Sequence, residues 1–205
     1  MNLEEIKRRM FTGELYSCAS EELANEQLLA LDKLFSYNQL PPSQSEKKQE
    51  LLEEMFESIG KNCYIETPFH ANWGGKNVTF GDNVYANFNL TLVDDGKITV
   101  GNNVMFAPNV VLCTATHPID PTLREKVVQY NLPVTIEDNV WLGAGVTVLP
   151  GVTIGKNTVV GAGSLVTKDL PSNVVAVGSP CKVLREISVN DQHFYEKNRE
   201  IVDEF

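Results

Sequence analysis

The sequence predicts a parallel β-helix closed at one end by α-helices. Three observations carry that prediction: a six-residue repeat running from Phe80 to Leu170, a turn-forming residue at a fixed place in each unit, and helical patterning confined to the segment before the repeats. Units begin at Phe80, Ala86, Val100, Phe106, Ile136, Leu142, Val148, Ile154, Val160 and Val166. Three residues on, each has Asn, Gly or Asp: Asn83, Asn89, Asn103, Asn109, Asn139, Gly145, Gly151, Asn157, Gly163 and Asp169. These residue types enter the left-handed backbone region most readily. The next position is aliphatic or small (Val84, Leu90, Val104, Val110, Val140, Val146, Val152, Thr158, Ser164, Leu170), so each unit supplies two inward side chains around one corner. A period of six belongs to stacked coils, and neither an amphipathic helix nor an alternating hairpin strand sustains it.

The helical segment comes first. Leu3, Ile6 and Met10 share a helical face. Ser20, followed by Glu21 and Glu22, is an N-cap candidate for a second helix whose apolar stripe is Leu28, Leu31, Leu34 and Phe35. Pro41 and Pro42 stop it. Ser43 and Glu46 have capping-box spacing, Leu51, Leu52, Met55, Phe56 and Ile59 form the next apolar face, and Gly60 reads as its stop. Residues 1–60 therefore read as a helical cap protecting the open end of the β-helix. Residues 61–185 read as coils, and residues 186–205 as a tail with a short helix from Asn190. One excursion, at about residues 113–133, interrupts the phase: Ala115 falls where Asn or Gly is due, and Pro118, Pro121 and Pro133 punctuate the rest of the segment. Long loops inside a repetitive domain are usually functional.

Composition narrows the function. At 205 residues and 42% hydrophobic, the chain can bury a core as one domain with small additions. A net charge of −10 and a pI near 4.8 argue against nucleic-acid or anionic-membrane partners, which need a basic face. MNLEEIKRRM lacks the apolar stretch of a signal peptide and no apolar run has spanning length, so a soluble cytoplasmic protein is expected. Cys18, Cys63, Cys113 and Cys181 have no CxxC spacing; neither a disulfide framework nor a metal site is expected.

Three histidines are candidates for proton transfer. His193 lies in the charged tail and reads as solvent-facing, and His70, in an irregular stretch before the regular coils, reads as structural or surface. His117 falls where the coil gives way to the excursion, and its near-neutral pKa suits abstraction of a hydroxyl proton; a plain surface-loop histidine is the competing reading.

The consecutive units from Ile136 to Asp169 resemble the hexapeptide-repeat transferases, which implies a left-handed helix, an exception to the usual right-handed crossover. GlyGluLeuTyr at 13–16, AlaAsnPheAsnLeuThrLeuValAspAsp at 86–95, AlaProAsnVal at 107–110, ThrAlaThrHisPro at 114–118 and GlySerProCysLysValLeuArg at 178–185 resemble, more narrowly, the maltose and galactoside O-acetyltransferases. That resemblance covers essentially the whole chain. It implies acetyl-CoA as donor, a sugar hydroxyl as acceptor, and a homotrimer with active sites between subunits. Transferred by position, it makes His117 the general base, Asn87, Asp95 and Asn72 sugar-binding residues, and the Ala144 backbone N–H the donor to the tetrahedral oxyanion. Asn87 also reads as a mere corner residue, and Asp95 as a turn aspartate. Trp141 would lie along the cofactor's pantetheine arm or else at a subunit interface. Ala162, Thr167, Lys168, Lys182 and Arg185 fall at cofactor-binding positions, with Lys182 where arginine is common, which loses bidentate geometry. Cys18 stands where galactoside-type members carry a sugar-binding aspartate, and a thiol does not replace a carboxylate acceptor. The competing functions are acetyl transfer to a xenobiotic or amino acid, and a non-catalytic sugar-binding β-helix.

Overall fold

A computed structural model describes residues 1–197 and 199–202. Three helices come first: α1 (Leu3–Met10), α2 (Glu21–Gln39) and α3 (Ser45–Met55). The Asn2 side chain caps α1 by accepting from Glu5 N–H, with acidic residues in the first turn and Lys7, Arg8 and Arg9 in the last, as the helix dipole favours. Ile6 and Met10 are buried. Ser20 caps α2 as expected, its hydroxyl accepting from Leu23 N–H at 3.3 Å. The buried face of α2 differs from the expected stripe: Leu23, Leu34 and Tyr37 face inward, whereas Leu28 and Phe35 are exposed. Phe35 lies one residue, about 100° of helix, past Leu34 and so turns away from the core. The capping box at Ser43 does not form. Gln44 N–H closes a turn onto the Pro41 carbonyl, and α3 starts at Ser45 without a side-chain cap. Nor is Gly60 the stop of α3, because the chain is already in its first coil strand at Ser58–Ile59. A Cβ at Gly60 would collide with the Gly81 backbone of the next coil.

About six coils come after the cap, forming three parallel sheets. The first sheet stacks Ser58–Ile59, Val78–Phe80, Ile98–Val100, Val134–Ile136 and Thr153–Ile154. The second stacks Tyr64–Ile65, Tyr85–Ala86, Met105–Phe106, Trp141–Leu142, Val159–Val160 and Val174–Val177, closed by the antiparallel strand Lys182–Glu186. The third stacks His70–Ala71, Thr91–Val93, Val111–Cys113, Thr147–Val148 and Leu165–Val166. Every inward position expected from the repeat is buried, from Phe80 and Val84 through Val166 and Leu170. Phe56, at the end of α3, packs edge-on against Phe80 at 5.1 Å, and Phe80 stacks on Phe106 at 6.1 Å, so the cap is keyed into the coil core.

The punctuation works as the residue types imply. Asn83, Asn89, Asn103, Asn109, Asn139, Gly145, Gly151, Asn157 and Gly163 all have positive φ; Asp169 does not, and its carboxylate instead accepts from Thr153 N–H at 2.8 Å. At the corner between the first and second sheets the asparagines also form ladders. Asn62 donates to Asn83 and Asn83 to Asn103, each at 3.0 Å, then Asn139 to Asn157 at 3.0 Å and Asn157 to Asn173 at 2.7 Å.

The excursion is more ordered than a bare loop. It contains Ala115–Thr116, the short helix α4 (Pro121–Glu125) capped by Asp120, and Val128–Asn131, which pairs antiparallel with both Ala115–Thr116 and Tyr16–Ser17 of the cap. The expected short C-terminal helix is α5 (Asn190–His193), and it leads into an unanticipated hairpin of Phe194–Glu196 with Arg199–Glu200. No helix among the described residues is long and apolar enough to cross a membrane.

Candidate active site

The corner between the third and first sheets is where the repeat breaks, and several of the expected site residues gather there. On the lower coils it carries Asn72, Asp94 and Asp95, and on the next coil Thr114, after which the chain leaves for the excursion and reaches His117. The exposed His117 ring is fixed by a 2.9 Å hydrogen bond between Nδ1 and the Val128 carbonyl. A carbonyl only accepts, so Nδ1 carries the proton and the Nε2 lone pair is left to act as a base.

Asp95 is buried within a polar network that fastens cap, coil and excursion together. One carboxylate oxygen accepts from Asn72 Nδ2 at 2.8 Å and the other from Gln129 Nε2 at 3.3 Å. Gln129 Nε2 also donates to the Tyr16 hydroxyl, which accepts from Asn131 Nδ2 at 3.0 Å as well. Burial pushes the Tyr16 phenol up to about 12, so it stays a neutral hydrogen-bonding group. Beside it, Cys18 donates both its N–H and its thiol to the Val127 carbonyl, each at 3.1 Å. Val127 has a φ of 50°, which strains a β-branched residue, and these two bonds help hold it there. Cys18 is thus a tie between cap and excursion. Below, the fully buried Asp94 accepts from Trp73 N–H at 2.7 Å and Gly75 N–H at 3.0 Å, fixing the turn that presents Asn72; burial pushes its carboxyl up to about 6.

A second group occupies the corner between the second and third sheets. Asn87, Ala144 and Ala162 lie there on different coils, and Trp141, about half exposed, precedes it on the outer face of the second sheet. Around Ala144 the backbone is spent except at one place: Gly143 N–H goes to Val160, Gly145 N–H to Pro108 and Val146 N–H to Gly143, while the Ala144 N–H has no partner among the described residues. The Ala162 N–H is likewise free, between paired Gly161 and Gly163. Space beside them is open, since a Cβ on Gly145 or Gly163 would meet nothing within 4 Å. The Asn87 side-chain oxygen accepts from Phe88 N–H at 2.8 Å, which is part of corner building and leaves its NH₂ free.

The cationic positions divide as well. Thr167 and Lys168 sit at the His117 corner on a later coil, whereas Lys182 and Arg185 lie on the antiparallel strand ending the second sheet. Lys168 and Lys182 are exposed and without an ion pair among the described residues, free to meet phosphate oxygens. Arg185 is engaged: Asp191 takes its guanidinium at 2.7 and 2.8 Å, which holds the Asp191 carboxyl well below its usual range and leaves Arg185 to be shared with any phosphate. His70 is exposed on the third sheet and His193 in the tail, away from both groups.

One copy of the chain does not bring His117 and Ala144 together. A strand of the third sheet separates their corners, on the order of 15 Å at about 3.3 Å per residue. Tyr16, Gln129 and Asn131 belong to the Asp95 network, and sequence reading gave them no role in it. For Gln129 and Asn131 the only signal was the alternation Val128, Gln129, Tyr130, Asn131 inside the excursion, whose buried members are the polar ones, whereas Tyr16 ends the GlyGluLeuTyr stretch at 13–16.

Residues 9–60 match the family model of the maltose acetyltransferase hexapeptide capping motif, and residues 133–168 match that of the bacterial transferase hexapeptide (six repeats). The chain is 57% identical over 202 residues to a galactoside O-acetyltransferase of Lactococcus lactis subsp. lactis (strain IL1403), covering 98% of each chain. It superimposes on a galactoside acetyltransferase in complex with coenzyme A with a TM-score of 0.92 and 44% identity, covering 99% of this chain and 100% of that one. A maltose O-acetyltransferase from Clostridium difficile 630 superimposes with a TM-score of 0.87 and 42% identity, over 89% of this chain and 97% of that one.

Proposed function

The chain belongs to the galactoside and maltose O-acetyltransferase family of hexapeptide-repeat transferases, and on that premise we propose that it moves the acetyl group of acetyl-CoA directly onto a hydroxyl of a galactoside, maltose or glucose, with His117 as general base. That it is a sugar O-acetyltransferase follows from the family; the acceptor, the base and the direct route are the proposal. The observation that carries it is the exposed His117 ring, held through Nδ1–H so that the Nε2 lone pair is left free to take a proton.

In the proposed cycle acetyl-CoA and the sugar bind together. Nε2 takes the proton of the attacking hydroxyl as its oxygen bonds to the thioester carbon. Negative charge builds on the carbonyl oxygen, and the free Ala144 N–H is a preorganised donor for it. The C–S bond then breaks, coenzyme A leaves as the thiolate, and the imidazolium returns the proton to it. The open corner at Gly145 and Gly163, the free Ala162 N–H and the unpaired Lys168 and Lys182 suit a long, phosphorylated donor; Trp141 offers an apolar face to its arm. Because His117 and Ala144 lie at different corners, the reading requires a second copy of the chain, in a homotrimer with sites between subunits. A cytoplasmic setting, where acetyl-CoA is supplied, fits this reading.

Direct transfer is also favoured by the thiols. Burial pushes Cys18, Cys63, Cys113 and Cys181 above their ordinary values, so none is poised as a thiolate nucleophile. The test is acetyl-CoA-dependent thiol release over galactosides, maltose, glucose, serine and chloramphenicol. Sugar turnover lost in His117→Ala supports the reading, turnover of only a non-sugar acceptor overturns the acceptor assignment, and a cysteine acetylated by acetyl-CoA alone overturns direct transfer.

A further inference from the structure

The acceptor atoms around His117 are unequally occupied. Both Asp95 oxygens take protein hydrogen bonds, and the Cys18 thiol is directed at the Val127 carbonyl. Gln129 differs. Its NH₂ is committed, to Asp95 and to the Tyr16 hydroxyl, and since a carboxylate can only accept, that pairing fixes which end of the amide is nitrogen. Its Oε1 has no hydrogen-bond partner among the described residues, and yet it is not shut off from solvent, for the buried unpaired side-chain polar atom there is Trp73 Nε1.

The register brings Gln129 into the neighbourhood of His117. Ala115 pairs with Asn131 and Thr116 with Tyr130, so one further step sets His117 opposite Gln129; the neighbouring carbonyl, that of Val128, holds the His117 ring. Residues directly opposite in an antiparallel pair lie about 4.5–5.5 Å apart, the spacing at which one small polyol can touch both side chains.

We propose that Gln129 Oε1 accepts a hydrogen bond from the hydroxyl next to the one that is acetylated, which makes Gln129 an acceptor-binding residue that selects compounds with neighbouring hydroxyls. This rests on the sugar-acetylation reading above. An oxygen with one committed orientation and no partner of its own gains a hydrogen bond when a donor hydroxyl arrives, whereas a deoxy analogue leaves it dry and unpaired.

The experiment compares the acetylated sugar with its monodeoxy and monofluoro analogues, position by position, in the native protein, Gln129→Met and Gln129→Glu. Fluorine accepts but does not donate, so it reports the direction of the bond. In the native protein one position next to the acetylated hydroxyl is expected to lose about five- to tenfold in kcat/KM with either analogue, the effect of one neutral hydrogen bond. Gln129→Met, similar in shape and without the oxygen, removes that preference with the KM for acetyl-CoA unchanged. Gln129→Glu, whose carboxyl shares a proton with the facing Asp95 and so donates as the amide does, keeps an oxygen there and keeps the preference. A preference that survives in Gln129→Met, or one lost in both variants, overturns the proposal. Absence of any sugar turnover by the native protein strikes the sugar-acetylation reading itself, a result separate from either.

Discussion

Two corners of the same β-helix use the same residue types for opposite ends. At the corner between the first and second sheets, Asn62, Asn83, Asn103, Asn139, Asn157 and Asn173 all take positive φ, and side-chain amides there donate from coil to coil in ladders. Their polar groups serve the stack. At the corner between the third and first sheets the repeat breaks, and Asn72, Asp95 and His117 are bound to residues from the cap and the excursion. At the first corner the polar side chains are tied to their like on the next coil, and at the second they are tied to the cap and the excursion. The third corner combines the two, with Asn89 donating to Asn109 at 3.1 Å low in the stack and free amides at Ala144 and Ala162 above.

The largest expected effect breaks that third corner without unfolding it. Trp141 pairs with Met105 and Leu142 with Phe106, so Ala144 stands over Pro108, and the backbone at this place already accepts proline. Ala144→Pro deletes the free N–H. Its kcat should fall about 10²- to 10³-fold, the cost of one oxyanion donor, with little change in melting temperature. Steady-state rates and a thermal melt check both halves.

Asp95→Ala comes next. It leaves Asn72 and Gln129 without their acceptor, so about 1–3 kcal/mol of stability and about tenfold or more in kcat/KM for the sugar should go together, by denaturant titration and kinetics. Asp94, its neighbour, should act on stability through pH. Its carboxyl is raised in the folded protein, so the native state binds the proton more tightly than the unfolded chain does. The resulting stabilisation is present below about pH 4 and is lost as pH rises through about 6, on the order of 1–3 kcal/mol in all. The lowered groups Glu5, Glu14, Glu26, Asp120 and Asp191 act in the opposite sense, below their ordinary values. Between pH 4.5 and 6.5 the melting temperature of the native protein should fall relative to that of Asp94→Asn, which carries no proton to lose at this position.

The smallest effect belongs to the scaffold corner. Asn157→Ala puts a Cβ without a compensating amide at φ 62° and cuts two ladder bonds, costing about 1–2 kcal/mol, while kcat stays at the native value. A loss of turnover there would erase the distinction between the corners.

Most of the coil was legible because each inward position and each corner is a local choice repeated many times, and repetition averages out single-residue ambiguity. The cap was less legible. In α2 too many leucines compete for the inward face, and only tertiary contact decides that Tyr37 rather than Phe35 is buried, its hydroxyl donating to the Ile65 carbonyl. His117, Asn72 and Asp95 could be picked out as departures from the repeat or by resemblance. Gln129 could not, because its importance comes from a pairing with Tyr16 that spans 113 residues of chain and leaves no local pattern. The free Ala144 amide was equally invisible to residue type, since any side chain but proline leaves the backbone N–H in place.

In the proposed mechanism the base at one corner and the oxyanion donor at another meet across two copies of the chain. Co-refolding His117→Ala with Ala144→Pro tests this most directly, each variant alone being expected to keep about 1% of native turnover or less. If sites form between subunits of a closed trimer, random mixing gives each site an intact base and an intact amide about a quarter of the time, and roughly that fraction of native turnover should return. A mixture that stays inactive while forming mixed trimers would contradict the mechanism, placing both groups of every site within a single chain.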